Sequence, residues 1–369
     1  MTPSRLRAAS WLAAALAFCV ATTALPASPR AQDGTVAAFD QTFQDWMRRQ
    51  SVSRGLFAIA RNGRVVHARS FGMPADAPVP VASLSKAVTA ACIATLIQQG
   101  KLRFDMPLSQ ALARTFQRLG APDDPRLPEV TIAQLLTHRA GYQRSGEQPD
   151  PVTGAPLARQ LRTRSATQPA IDEQTRALLR LKLPLAPGER YAYTNATYLL
   201  LGAVVEEATG AAYESHCRSA VLAPAGIAEA SLSRGWRVLS SYGGWEFTAQ
   251  QYLRFHEIFS PRGAVLSGAT RQWLLSPEGK AVDGGAHYGL GTYVRHVAGS
   301  QNFWHSGRWR YQLTGGADGA LSSHYGTFVA RLGAAGYSWF AYFEPAPDGA
   351  TGDLDRRMTE TGRAVKRWP

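Results

Sequence analysis

The chain has 369 residues, 45% hydrophobic and 18% charged, with a formal net charge of +13 at pH 7. That balance, with glycine and proline spread along the whole length, belongs to a folded chain of one large domain or two ordinary ones. It excludes a disordered tail, a collagen and a coiled-coil rod.

Arg5 and Arg7 precede an apolar stretch from Trp11 to Leu25, and small residues follow at Ala27 and Ala31. A positive start, an apolar centre and a small-residue end are the parts of a secretory signal peptide. Residues 1–31 are therefore expected to be removed on export, by cleavage between Ala24 and Ala31. Phe18 before Cys19 is too bulky for lipoprotein processing. Beyond this segment no apolar run reaches the roughly 18 residues that span a bilayer, so no transmembrane span is expected in the mature chain.

Cleavage after Ala31 removes Arg5, Arg7 and Arg30 and leaves +10. The remaining arginines are interleaved with acids, without a basic stripe or a recognisable motif, so nucleic acid is not an expected partner. Cys92 and Cys217 remain. An oxidising compartment permits a disulfide, but Cys92 lies in an apolar run and reads as a buried small hydrophobe. His216-Cys217 is no metal site, and the eight histidines show no metal-ligand spacing.

In chain order, the periodicity predicts a helix over 36–50 that buries Ala38, Phe39, Phe43, Trp46 and Met47. Leu56–Ala60 and Val65–Phe71 flank Asn62-Gly63, the strongest short-range hairpin signal. A long apolar helix is expected from Ser83 to Gln99, stopping at Gly100. Residues 131–138 predict a short helix, and Arg144–Gln168 is a long excursion without pattern. A further helix is expected over Tyr198–Thr209. Strands follow at Gly289–Val297, Phe303–Ser306, Thr327–Leu332 and Tyr337–Phe343, and a closing helix at Asp353–Arg367. Strands at both ends with helices between predict one sheet shared by the termini, an α+β fold.

Three segments carry chemistry. Ser83-Leu84-Ser85-Lys86 opens the apolar helix after the Pro-bounded strand Pro78–Ala82. There Ser83 sits among free backbone N–H groups and Lys86, three residues on, shares its face. An amine buried among apolar neighbours loses basicity and becomes a usable proton acceptor. Lysine in the first turn also opposes the helix dipole, which a purely structural role would not favour. Tyr193-Thr194-Asn195 offers a phenol to relay a proton and an amide to hold a carbonyl, although Asn195 also suits an N-cap. His305-Ser306-Gly307, on an expected edge strand, offers an imidazole, a hydroxyl and a small residue for close substrate approach. The N–H of Arg308 could pair with that of Ser83 as an oxyanion hole.

At these three segments the sequence resembles the serine β-lactamase and penicillin-binding protein superfamily, in its class C β-lactamase-like branch with esterases and D-amino-acid peptidases. Gly100–Asp105, Thr131–Gly141, Leu201–Gly210, Leu222–Ile227 and Tyr288–Gly291 look like that family's connecting segments, so the resemblance covers roughly Leu56 to Phe343. It implies a β-lactamase/transpeptidase-like fold: an antiparallel sheet of N- and C-terminal strands flanked by helices, with an inserted, mostly helical region. One module would span 32–369, with sheet regions at about 36–105 and 285–369 and a helical region at about 106–284.

The resemblance also implies an acyl-enzyme hydrolase without metal or cofactor. Ser83 would attack a carbonyl, Lys86 and Tyr193 would exchange its proton, and either of the two could be the base. Asn195, His305, Ser306, Gly307 and Arg308 would bind substrate, and His138 would be structural. The chain departs from the β-lactamase pattern at His305, where those enzymes carry lysine. A histidine is mostly neutral at pH 7 and holds a substrate carboxylate less well. An ester or D-amino-acid amide or peptide is therefore the expected substrate. The alternatives are a true β-lactamase and a non-catalytic protein that binds or senses penicillins or muropeptides.

Overall fold

The computed structural model describes residues 34–369 apart from 145–149, 154–168, 262, 276–280, 283 and 317–318, and leaves the side chains of 311–323 aside. The expected signal peptide, and all of the unpatterned stretch except Arg144 and residues 150–153, lie outside the described residues.

Helix α1 (Ala38–Arg49) buries Ala38, Phe39, Phe43, Trp46 and Met47, the face its periodicity predicts. Strands β1 (Arg54–Arg61) and β2 (Arg64–Phe71) pair antiparallel through Asn62 and Gly63, both at positive φ as a tight hairpin requires. The C-terminal strands are β3 (His287–Gly289), β4 (Thr292–Val297), β5 (Ser300–Gly316), β6 (Gly319–Leu332) and β7 (Tyr337–Glu344). They join the first two in a seven-stranded sheet of order β2-β1-β7-β6-β5-β4-β3. The sheet therefore closes through antiparallel pairing of β1 with β7, which brings the two ends of the chain together.

Every residue of β1 from Gly55 to Ala60 is buried, because both faces of the sheet are covered. Phe57 and Ile59 pack with Phe39, Phe43 and Trp46 of α1 and with Leu354 and Met358 of the closing helix. Leu56, Ala58 and Ala60 point the other way, into the larger core made by the helical region. Each large apolar side chain buried in this way contributes on the order of 2 kcal/mol. The closing helix, Ala350–Ala364, begins and ends three residues earlier than its sequence suggests.

In the helical region, α2 (Ser85–Gln98) and α3 (Ile132–Leu136) lead to α4 (Ile171–Leu179) and α5 (Asn195–Thr209). Helix α2 is apolar all round and is buried from Ser85 to Leu96, which makes it the axis of this region. Thr131 and Gln134 form a reciprocal capping box that starts α3.

Two expectations about this scaffold are corrected. Gly289–Val297 is not one strand: Leu290 and Gly291, at φ +47° and +75°, turn β3 into β4. A Cβ on Gly291 would lie 2.5 Å from Ala87 N, so glycine also lets this turn press on the first turn of α2. Cys92 is not a free hydrophobe: it is disulfide-bonded to Cys217, with Cα atoms 5.5 Å apart. Both cysteines are fully buried, and the apolar run that hid the partner in sequence is simply the packed flank of α2. The bridge closes a loop of 125 residues that contains Tyr193 and Asn195. Cys92→Ala/Cys217→Ala is expected to lower unfolding free energy by about 2–5 kcal/mol. Denaturant titration of the oxidised protein and the double variant checks this.

Candidate active site

A two-residue strand, Val79–Pro80, delivers the chain to a 3₁₀ turn, Ala82–Leu84, and α2 begins only at Ser85. Ser83 thus stands in the turn that leads into the helix, which starts two residues later than its sequence suggests. Ala82 holds φ +49°, a left-handed conformation that is costly for a residue with a Cβ. Val81 N–H bonds Trp245 O at 3.0 Å, and Thr327 Oγ1 on β6 donates to Val81 O at 3.0 Å.

The first turn of α2 brings Lys86 Nζ to 3.1 Å from Ser83 Oγ. Lys86 is fully buried, with Asn195 Oδ1 at 2.7 Å and the Tyr242 carbonyl oxygen at 2.9 Å. Burial lowers its pKa to about 7; Arg144 adds to the fall and Asp150 opposes it. The neutral amine has two hydrogens and one lone pair. Asn195 Oδ1 and Tyr242 O can only accept, so they take both hydrogens. The lone pair is then left for the hydroxyl of Ser83.

The Tyr193 ring lies 5.0 Å from Lys86 Nζ. Its hydroxyl is buried without a complete hydrogen bond. Burial raises that phenol far above the ordinary tyrosine range, and the Ser83 hydroxyl beside it offsets part of the rise. Tyr193 is accordingly a neutral proton donor at any ordinary pH. Asn195 is the first residue of α5 and not its N-cap, a place taken by Thr194, and the helix starts three residues before Tyr198. This frees the Asn195 side chain for Lys86.

His305 is buried, with Nε2 3.1 Å from Tyr288 Oη and Nδ1 2.6 Å from Ser306 O. Burial and the nearby Lys86 lower its pKa to about 3, so the ring is neutral. Both nitrogens have partners within the protein, and His305 also lines the cavity beside Ser83. Strand β5 is also not a simple edge strand. It is paired with β4 over Ser300–Trp304 and loses that partner from His305 onward, where it faces the Ser83 turn. Gly307 serves that approach: a Cβ there would lie 2.6 Å from Val81 O and 2.2 Å from Thr327 Oγ1. The small residue accommodates the turn that carries Ser83, where sequence suggested close approach of a substrate.

These groups open on a cavity of about 520 Å³ whose walls include Ser83, Tyr193, His305 and Ser306. Arg308 and Arg310, on the same face of β5 as Ser306, also reach it; Arg308 Nη1 lies 2.5 Å from Asp348 Oδ1 and Arg310 Nη1 3.5 Å from Asp348 Oδ2. Sequence reasoning missed three contributors. Arg144 lines the cavity and has no acidic partner among the described residues. Buried Asp150 accepts the N–H of Asn195 at 2.7 Å, in a stretch with no readable pattern. Tyr242 contributes only its carbonyl, which no side-chain motif reveals. Among the described residues no group of His, Cys, Asp or Glu could hold a metal ion, and no helix is long and apolar enough to cross a membrane.

A nucleophile-bearing turn, a buried lysine and a tyrosine between an antiparallel sheet and a helical region define a class of protein that known relatives share. The chain belongs to the beta-lactamase family, whose profile matches residues 39–357. It is 29% identical over 205 residues to esterase EstB of Burkholderia gladioli, across 52% of this chain and 50% of that one. It is 27% identical over 157 residues to the D-alanyl-D-alanine-carboxypeptidase/endopeptidase AmpH of Escherichia coli K12, across 41% and 36%. The chain thus spans half or less of these relatives' length. The fold is that of a penicillin-binding protein from Bacillus halodurans, at TM-score 0.68 and 20% identity over 86% of this chain and 98% of the other.

Proposed function

We propose that this chain is an exported serine hydrolase that turns over an ester, or a D-amino-acid amide or peptide, through an acyl-enzyme on Ser83. The observation that carries the reading is the hydrogen-bond set of Lys86, which leaves one lone pair for Ser83 Oγ. Lys86 takes the Ser83 proton as Oγ bonds to the substrate carbonyl carbon. The N–H groups of Ser83 and Arg308 hold the oxyanion. As the tetrahedral intermediate collapses, Tyr193 gives its proton to the leaving group and recovers one from Lys86. Water then attacks the acyl-enzyme by the reverse route, with Asn195 and Ser306 orienting the acyl group.

The likeness to EstB and AmpH supports an ester or D-amino-acid substrate. The neutral, internally bonded His305 supports weak handling of a β-lactam carboxylate. A buried disulfide suits an oxidising compartment, and with it a signal peptide at 1–31 and a mature module over 32–369. Time-resolved intact mass of the mature protein tests the reading, with a short-chain 4-nitrophenyl ester and a penicillin supplied separately. Transient acylation by the ester is expected, with the penicillin left unreacted or held without release. Rapid acylation and release of penicillin would make the protein a β-lactamase. Failure of the ester to acylate, or acylation without release, would make it a binding or sensing protein.

A further inference from the structure

His138 is buried at the end of α3, in the left-handed conformation at φ +55°. Its carbonyl accepts the N–H of Ala192 at 2.8 Å, and its Nδ1 lies 3.4 Å from the N–H of Thr194. These are the residues on either side of Tyr193. Thr197 Oγ1 lies 2.8 Å from Nδ1 and 3.2 Å from Thr194 O. The ring packs at a tilt against the Tyr193 ring, with centroids 4.4 Å apart, and at 4.6 Å against that of Tyr288, whose hydroxyl meets His305 Nε2. His138 therefore holds the Ala192 flank of Tyr193 through its backbone carbonyl, and the Thr194 flank and the ring through its side chain.

We propose that His138 is a positioning residue for Tyr193, holding the phenol where it can protonate the leaving group; this rests on the acyl-enzyme reading above. The phenol tip has only the Ser83 hydroxyl beside it and makes no complete hydrogen bond. The backbone and ring contacts of His138 form a clamp and supply the firmer hold. His138→Phe keeps a ring face but removes the acceptor. His138→Asn keeps an acceptor and tolerates the left-handed conformation, but removes the ring.

The test is hydrolysis of one acyl group on leaving alcohols of increasing pKa. A nitrophenolate leaves without a proton and an alkoxide does not. His138→Phe is expected to lower kcat about 100-fold for an alkyl ester and only a few-fold for the 4-nitrophenyl ester, with KM little changed and partial recovery in His138→Asn. An equal loss across the series would reduce His138 to a structural residue and overturn the proposal. A crystal structure of His138→Phe decides the matter even if no ester is turned over. Tyr193 displaced from Lys86, with Ser83 and Lys86 still in contact, is expected; Tyr193 in its original place overturns the proposal. If the wild type hydrolyses no ester while Tyr193 moves in the variant, the acyl-enzyme reading fails and the clamp stands.

Discussion

Ser83→Ala is expected to abolish covalent labelling by a fluorophosphonate and to lower ester turnover by at least about 1,000-fold. The loss is large because nothing nearby can replace the oxygen. Ser85 is fully buried, and its hydroxyl accepts the N–H of Trp245 at 3.1 Å. Ser306 belongs to β5 and makes no described contact with Lys86. The fold is expected to survive, since the substitution removes one half-buried hydroxyl from a turn held by backbone contacts at Val81 and Leu84. Intact mass after labelling, alongside the thermal midpoint, separates the two effects. Labelling that persists in a folded Ser83→Ala protein would remove Ser83 from the chemistry.

Much of this arrangement was legible in the chain because it is local. Asn62-Gly63 dictates a hairpin by backbone geometry alone. The spacing of Phe39, Phe43, Trp46 and Met47 dictates one buried helix face. Ser83 and Lys86 are neighbours through a single helical turn, so the 3.1 Å contact needs no tertiary information. The remaining parts are tertiary. Asp150 and the Tyr242 carbonyl reach the site from segments with no periodicity, and a backbone carbonyl leaves no trace in a motif. Leu290-Gly291 turns because it must clear α2, which lies two hundred residues earlier in the chain. Cys217 finds Cys92 for the same reason, through packing of helices that are distant in sequence. The engagement of His305 with Tyr288 depends on where β3 lies relative to β5 across β4, which the alternation of one strand cannot give.

Lys86 is expected to govern both the rate and the pH dependence. With a folded pKa of about 7, kcat/KM for a neutral ester should rise about tenfold per pH unit below pH 7 and level off above it. Lys86→Met removes the proton acceptor and is expected to cost about 100- to 10,000-fold. The same group makes a second, independent demand on stability. Unfolded, Lys86 has an ordinary pKa near 10.4 and binds a proton throughout the range from 7 to 10, whereas in the folded state it does not. The unfolded chain therefore binds more protons in this window, and stability contributed by Lys86 rises as pH rises from about 7 toward 10. Below 7 both states are protonated and the slope vanishes. Denaturant unfolding of wild type and Lys86→Met across this range reads the difference, which should grow by several kcal/mol in favour of wild type. A flat difference would mean that Lys86 keeps an ordinary pKa. The amine would then be a bound cation at neutral pH, and the proton of Ser83 would have to leave by way of Tyr193.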